Sequence, residues 1–474
     1  MRNKIKIGLF GIGLRTYWAQ FEGLEQRLHH YLNEIAAALK KHDVSIVNAG
    51  LIDSMDRADA AGEAFRREDV SIIFLYVSTY ALSATVLPVI QRAGAPVVVL
   101  NLQPAAAIDY AWFNSLGDRG AMTGEWLAHC QACAVPEIAN VFNRGRIPFH
   151  LVTGTLSDEE AWSEIYAWVE AAKVQKHMQE NRLGLLGHYY NGMLDIYTDL
   201  TLQSSIFGGH MQHIEMDDLK FFWDSVTAEA TEKKLAKIHE EFQVLDECPA
   251  SELRRAARTA VALDQLIEQF QLGSLCYYYE GREGNVYEDI ISSVIVGNSM
   301  LTAHGVPVAG EYEVKNAQAM KIMDLFGAGG SFSEFYGMDF NDGIILMGHD
   351  GPGHLAIAEG KPILKPLGVY HGKPGKGLSV EMKVREGPVT LLSVAETPDG
   401  RLKLVIAEGQ SVFGAILQIG NTNSRYRFPL GIKEFMYQWC KEAPAHHCAI
   451  GVGHIACKLE KLAALLGIRA VKIC

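Results

Sequence analysis

The sequence predicts an α/β protein, with two doubly wound parallel-sheet domains followed by a C-terminal antiparallel, barrel-like β domain. Three observations predict it. Between Ile5 and Val152, continuous apolar runs alternate with helical stretches, the pattern of parallel strands covered on both faces. From Leu183 to Leu301 the same alternation returns without repeating the sequence. From about Asp342 onward, short strands dominate, and Thr397-Pro398-Asp399-Gly400 reads as a hairpin turn between two of them.

Taken in order, Ile5–Phe10 is a strand, Phe21–Lys40 an amphipathic helix, Ser45–Val47 a second strand and Ser71–Val77 a strongly apolar third. Ala81–Arg92 reads as a helix, and Pro96–Asn101 and Phe149–Val152 as strands. Ser157-Asp158-Glu159-Glu160 forms a capping box for a helix reaching about Met178. Strands follow at Leu183–Leu186, Met211–Ile214 and Leu275–Tyr279, with helices over about Asp217–Gln243, Ser251–Gln271 and Tyr287–Leu301. The β-rich part has strands at Ser379–Val384, Thr390–Ala395 and Leu402–Ala407. It closes with helix Ile432–Lys441, a strand carrying His454, helix Ile455–Leu466 and a strand at Ala470–Ile473. The expected domains are residues 1–175, 176–330 and 331–474.

The length of 474 residues calls for two or three domains. A hydrophobic share of 49% and a charged share of 21% are those of a globular chain. A net charge of −12 excludes a nucleic-acid footprint. With neither a signal-peptide core nor a membrane-length apolar run, a cytoplasmic protein without a membrane partner is expected. Eight cysteines are too few for a disulfide scaffold. Cys130 and Cys133 form a C-x-x-C, a spacing shared by redox motifs, here read as two small packed residues in a turn or helix.

The functional signal lies between Val308 and His354. Glu311 follows a glycine at the mouth of a helix whose Val314, Ala317 and Met320 share one apolar face. Glu334 follows the bend Gly327, Gly329, Gly330, and His349 ends the apolar strand from Ile344. Two carboxylates and an imidazole at element ends can converge on a divalent cation of the Mn²⁺ or Mg²⁺ kind.

The motifs Ala309-Gly310-Glu311, Ser331-Phe332-Ser333-Glu334-Phe335-Tyr336 and Met347-Gly348-His349 resemble the active-site region of the L-arabinose isomerase family. Gly451-Val452-Gly453-His454 resembles the Gly-Gly-Ala-His setting of that family's fourth ligand. The resemblance implies acid/base work at Glu311 and Glu334. It implies a Mn²⁺ ion, or another divalent cation such as Mg²⁺ or Co²⁺, on Glu311, Glu334, His349 and His454. It also implies a homo-oligomer acting on a small sugar. His354, His371, His446 and His447 are left outside the set, with His447 the nearest alternative to His454. Met193 and Tyr279 fall near positions that line the family's sugar pocket.

The chemistry suits such residues. Moving a carbonyl between C1 and C2 of a sugar removes a proton beside that carbonyl, and a cation stabilises the resulting enediolate. One carboxylate takes and returns the proton while a second group moves the hydroxyl proton.

The first loop, Gly11-Ile12-Gly13-Leu14-Arg15-Thr16, has two glycines of a dinucleotide fingerprint but Thr16 at the third. Arg15, Tyr17 and Trp18 are read instead as substrate contacts at the carboxyl end of a strand. The family has Gln-His where Arg15-Thr16 stands, a substrate-contacting His where Ala134 stands, and a second His after its fourth ligand where Ile455 stands. The expectation is a metal-dependent aldose–ketose isomerase whose sugar is not plain L-arabinose. The rival readings are a non-catalytic sugar-binding sensor and a nicotinamide-dependent oxidoreductase.

Overall fold

The computed structural model describes residues 4–282, 284–370 and 373–474, so His371 lies outside the described residues. The chain forms two compact units, Met1–Lys176 and His177–Cys474.

The first unit holds an all-parallel sheet of β1 (Lys6–Ile12), β2 (Ser45–Ile52), β3 (Ile72–Tyr76), β4 (Val97–Gln103) and β5 (Phe149–Thr155), in the order β2-β1-β3-β4-β5. Every residue of β3 is buried, as a central strand covered on both faces requires. Helix Leu24–Lys40 buries Leu24, Leu28, Leu32, Ile35 and Leu39 along one stripe. Its expected start at Phe21 is corrected, because a separate helix Arg15–Gln20 precedes it and Gly23, at φ 80°, makes the break.

Four further helices of this unit were not foreseen: Met55–Arg67, Tyr110–Ser115, Arg119–Ala128 and Gln131–Arg144. Met55–Arg67 buries Ala58, Ala61, Gly62 and Phe65, a face too small to register as an apolar stripe. A Cβ on Gly62 would meet Arg92 Cβ at 2.7 Å and the Val89 carbonyl at 2.8 Å, so helix Leu87–Ala93 packs there at backbone contact. The helix that begins at Glu159 is capped by Asp158 rather than Ser157, since Asp158 Oδ1 accepts the Glu160 N–H at 2.9 Å. Cys130 and Cys133, read above as merely packed, are joined by a disulfide at the start of Gln131–Arg144.

In the second unit the strands are β6 (Arg182–Gly187), β7 (His210–Ile214), β8 (Gln243–Val244), β9 (Ser274–Tyr278), β10 (Val308–Ala309), β11 (Gly329–Asp339), β12 (Ile344–His349), β13 (Ile363–Pro366), β14 (Val369–Tyr370), β15 (Lys373–Pro374), β16 (Leu378–Glu381), β17 (Gly387–Glu396), β18 (Leu402–Ser411), β19 (Thr422–Arg427), β20 (His447–Val452) and β21 (Arg469–Lys472). A parallel sheet runs β10-β9-β6-β7. A closed antiparallel barrel of six strands runs β17-β20-β11-β12-β19-β18 and back to β17. Closure removes the exposed strand edges that an open sheet of this length would carry. The predicted turn joins β17 to β18, with Thr397 N–H donating to the Arg401 carbonyl at 2.8 Å. Buried Val389, Leu391, Val405, Tyr426, Phe435 and Ile450 belong to the core of this region.

Helix Val314–Leu325 departs from its expected single apolar face, because Val314 through Met323 are all buried. Its buried lysines are paired rather than solvated. Lys315 donates to the Asp195 carbonyl, and Lys321 to the Gly305 carbonyl at 2.8 Å and to Asp324 at 2.9 Å. The strand expected to carry His454 ends at Val452, which leaves His454 beyond it. Among the described residues no helix is long and apolar enough to cross a membrane.

Candidate metal centre

Three segments of the second unit meet at one rim of the barrel. The first is the turn Gly310–Glu313, which leads into the buried helix. Glu311 and Tyr312 are both left-handed, at φ 56° and 62°, a region that costs a residue with a side chain of order 1–2 kcal/mol. Backbone bonds hold them there: Tyr312 N–H donates to the Tyr277 carbonyl at 2.9 Å, Glu313 N–H to Gly310 at 3.0 Å, and Tyr190 N–H to Glu311 at 3.3 Å. The turn thereby presents Glu311 and Glu313 on either side of His447.

The second segment is the β11–β12 pair. Glu334 lies opposite Gly348 on β12 and opposite His447 on β20. A Cβ on Gly348 would fall 1.9 Å from the Thr422 carbonyl, so only glycine lets β12 approach β19 beside His349. The third segment is the start of β20, with His446 and His447. The Phe332 ring lies against both His349 and His447, its centroid 4.4 Å and 4.3 Å from theirs.

The side chains converge on the Glu311 carboxylate. Its Oε2 is 3.4 Å from His447 Nε2 and 3.7 Å from His446 Nε2, while Oε1 is 3.9 Å from His349 Nε2. Among the described residues, buried Glu311 Oε2 has no hydrogen-bond partner. His349 Nε2 and His447 Nε2 are 3.2 Å apart. Ligand atoms in neighbouring positions on a cation at about 2.1 Å lie about 3 Å apart, so this spacing serves one shared ion as well as one shared proton.

Each histidine of the doublet has a carboxylate behind it. His447 Nδ1 is 2.5 Å from Glu313 Oε2, and His446 Nδ1 is 2.6 Å from Asp195 Oδ2. Asp195 also accepts the His446 backbone N–H at 2.9 Å. A carboxylate on Nδ1 fixes the ring and turns Nε2 toward the Glu311 carboxylate, the kind of outer support a metal-ligating histidine has. Glu311, His446 and His447 together form a cluster whose ligand atoms all lie within 4.8 Å of one another.

Burial sets the protonation states. It pushes the Glu311 carboxyl up to about 7, with His446 opposing and Glu334, Glu313 and Asp195 adding to the rise. It pushes fully enclosed Glu313 up to about 8, against Lys315 and His446. Burial holds His447 well below the ordinary imidazole range, and neighbouring His446 lowers it further. For His446 burial lowers the value, but Asp195, Glu313 and Glu311 outweigh it and raise it overall. An unpaired buried carboxylate oxygen, neutral His447 and mixed oxygen and nitrogen donors fit a divalent cation of the Mn²⁺ to Zn²⁺ series.

A cleft of about 110 Å³ opens onto this cluster, lined by Tyr190, Met193, Tyr277, Tyr278, Glu311, Glu334, His349 and the turn Asp350–Pro352. Glu334 also lines a groove of about 330 Å³ with Asp195, Phe335, Trp439 and His446.

Of the expected site residues, Glu311, Glu334, His349 and Met193 share this cleft. His454 does not belong to the cluster: it is exposed, and its Nε2 donates to the Gly409 carbonyl at 3.0 Å. The doublet His446-His447 stands in the position expected of His454. Its signal was present in the sequence, for Ala445-His446-His447 has an Ala-His followed at once by a second His. Tyr279 packs beside Tyr287 with ring centroids 5.8 Å apart, and Tyr277 and Tyr278 line the cleft instead. Glu313 and Asp195, whose partners are distant in sequence, were missed.

Arg15 and Tyr17 belong to the first unit. Arg15 is largely exposed, 3.7 Å from Asp53, and Tyr17 packs edge-on against Phe21. A Cβ on Gly13 would meet the Trp18 ring at 2.6 Å, and Trp18 Nε1 donates to Asp53 at 2.9 Å. The indole fills the space above Gly13 that a pyrophosphate would need, and the helix that follows has only six residues.

Comparison with models of known protein families and with curated proteins finds no match for the chain.

Proposed function

We propose that this protein is a divalent-metal-dependent aldose–ketose isomerase that interconverts an aldose and a ketose through an enediolate, on a sugar other than plain L-arabinose. One observation carries the reading: a buried, unpartnered Glu311 oxygen faces two carboxylate-backed histidines at the end of a tyrosine-walled cleft that also holds Glu334. Glu311, Glu334, His349 and His447 are the residues that would hold the cation, with His446 adjoining. When bound, the cation supplies positive charge to the enediolate oxygens.

The remaining work falls to the chain. Glu311 and Glu334 face the same cleft, and one of them takes the proton from carbon and returns it to the neighbouring carbon. Glu313 and Asp195 hold the two imidazoles in orientation. Tyr190, Tyr277 and Tyr278 wall the cleft, and Met193 supplies an apolar contact. The same reading takes the protein to be cytoplasmic and, as the resemblance of its motifs implies, a homo-oligomer.

The test is NMR of the purified protein in D₂O with Mn²⁺, against pentoses, hexoses, deoxy sugars and sugar acids. Deuterium should appear at C1 or C2 of one sugar, disappear with EDTA, and fail to appear with Glu311→Gln. Absence of exchange on every sugar, with metal bound by mass spectrometry, refutes the isomerase reading.

A further inference from the structure

We propose that Cys130 and Cys133 form a reversible thiol–disulfide exchange site, entered at Cys133, whose redox state governs the loops at the carboxyl ends of β1 and β3. This site lies wholly in the first unit and does not depend on the isomerase reading.

The disulfide is poorly suited to a structural role. A cross-link stabilises most when it closes a long loop, and this one spans a sequence separation of only three residues. The chain is not otherwise built on disulfides. Its six other cysteines are thiols, two of them, Cys440 and Cys457, exposed. An isolated C-x-x-C disulfide in such a chain has the character of an exchange or sensing pair.

The two sulfurs are unequal. Cys130 is the N-cap of helix Gln131–Arg144 and is 2% exposed, whereas Cys133, in the first turn, is exposed. An external thiolate therefore reaches Cys133. A helix N-terminus also favours the thiolate form of the cysteines it carries. Pro136 removes the N–H that would bond the Ala132 carbonyl, so the turn bearing the disulfide is fastened weakly to the rest of the helix.

That turn is connected to the sheet. Gln131 Nε2 donates to the Ser78 carbonyl at 3.0 Å and to Ala128 at 2.9 Å. Thr79 Oγ1 donates to the Leu127 carbonyl at 2.8 Å. Ser78 Oγ in turn accepts the Ile12 N–H at 3.1 Å and donates to the Ile12 carbonyl. Ile12 ends β1, and Gly13-Leu14 lead from it into helix Arg15–Gln20. A change at the disulfide thus reaches Ser78, Thr79 and Ile12 through direct hydrogen bonds, at the strand ends where open parallel sheets bind ligands.

In the exchange, one thiolate of an external dithiol attacks Cys133 Sγ. A mixed disulfide forms, the Cys130–Cys133 bond breaks, and its electron pair leaves on Cys130, which takes a proton. The dithiol's second thiolate attacks its own sulfur in the mixed disulfide and releases Cys133, which takes the second proton. Two electrons pass from the dithiol, which ends as a disulfide, to the protein, which ends as a dithiol.

The experiment equilibrates the full chain, without denaturant, in buffers of graded reduced-to-oxidised dithiothreitol ratio, then alkylates and maps cysteines by mass spectrometry. Hydrogen exchange is measured at both ends of the titration. Cys130 and Cys133 should pass together and reversibly from disulfide to dithiol, while Cys440 and Cys457 stay alkylatable throughout. On reduction, amides at 12–13, 78–79 and 127–131 should exchange at least about tenfold faster. Oxidised glutathione should label Cys133 in Cys130→Ser at least about tenfold faster than it labels Cys130 in Cys133→Ser. A pair that stays oxidised in excess dithiothreitol overturns the exchange site. Reduction that leaves exchange at 12–13 and 78–79 unchanged overturns the control of the loops. The wild-type titration needs no substitution and decides both points.

Discussion

The Glu313–His447 pair offers the sharpest test of the proposed metal centre, through Glu313→Gln. Glu313 is 1% exposed, and its carboxyl contacts His447 Nδ1 at 2.5 Å. Glutamine keeps the volume and can still accept from Nδ1–H, so the fold should survive. What it removes is a negative charge behind the imidazole. Loss of such an outer carboxylate lowers metal affinity about 10- to 100-fold, or about 1.4 to 2.8 kcal/mol. A second signature is proton release. Burial raises the Glu313 carboxyl to about 8, so at pH 7 the metal-free site holds its proton there, and Mn²⁺ should drive it off. Isothermal titration calorimetry of chelator-stripped protein, in two buffers of different ionisation enthalpy, measures both quantities. Glu313→Gln should bind Mn²⁺ 10- to 100-fold more weakly, as above, and release about one proton fewer at pH 7. Unchanged affinity together with an unchanged proton count would refute the role given to Glu313.

His447→Ala should abolish stoichiometric Mn²⁺ binding while His454→Ala leaves it within about twofold, by metal analysis after gel filtration; the reverse result would restore His454 to the ligand set. Glu311→Gln should lower turnover by at least about 10²-fold on the identified sugar, since it removes a proton-transferring group as well as a ligand, and wild-type rates would remove Glu311 from the mechanism. Metal-stripped protein should lose stability as pH rises from about 5 to 8. The folded carboxyls of Glu311 and Glu313, raised to about 7 and about 8, hold protons that the unfolded chain has already released. A melting-temperature profile should fall over that window and be flatter in a Glu311→Gln/Glu313→Gln double variant. Parallel profiles would show that these groups are not the source.

The parallel strands were legible because burial on both faces leaves unbroken apolar runs such as Ile72–Tyr76. Helix Met55–Arg67 was not, since alanine and glycine pack it by closeness rather than by apolar bulk. Glu311, Glu334 and His349 could be picked out because each ends an element beside glycine. The choice between His447 and His454 depended on where β20 begins and on its register with β11, which sets His447 opposite Glu334. Spacing along the chain carries no such information. The tyrosines show the same limit: β9 ends at Tyr278, and residues one step apart at a strand end turn to different surroundings. Glu313 and Asp195 were invisible because their partners His447 and His446 are 134 and 251 residues away.

The centre also bears on how the second unit holds together. Glu311 and Tyr312 each occupy left-handed backbone, which at about 1–2 kcal/mol apiece costs about 2–4 kcal/mol. The surrounding structure must offset that cost. A cation held at about a thousand times its dissociation constant contributes about 4 kcal/mol to the folded state, enough to match it. The groups that would hold the cation, and the two carboxylates that support its histidines, come from several parts of the unit. Asp195 follows the parallel strand β6, Glu311 and Glu313 precede the buried helix, and Glu334, His349 and His447 belong to three adjacent strands of the barrel. A bound cation would therefore clamp the parallel sheet to the barrel through the turn that most needs holding. Metal removal should loosen that turn before it affects the barrel, whose closed ladder is complete without the ion.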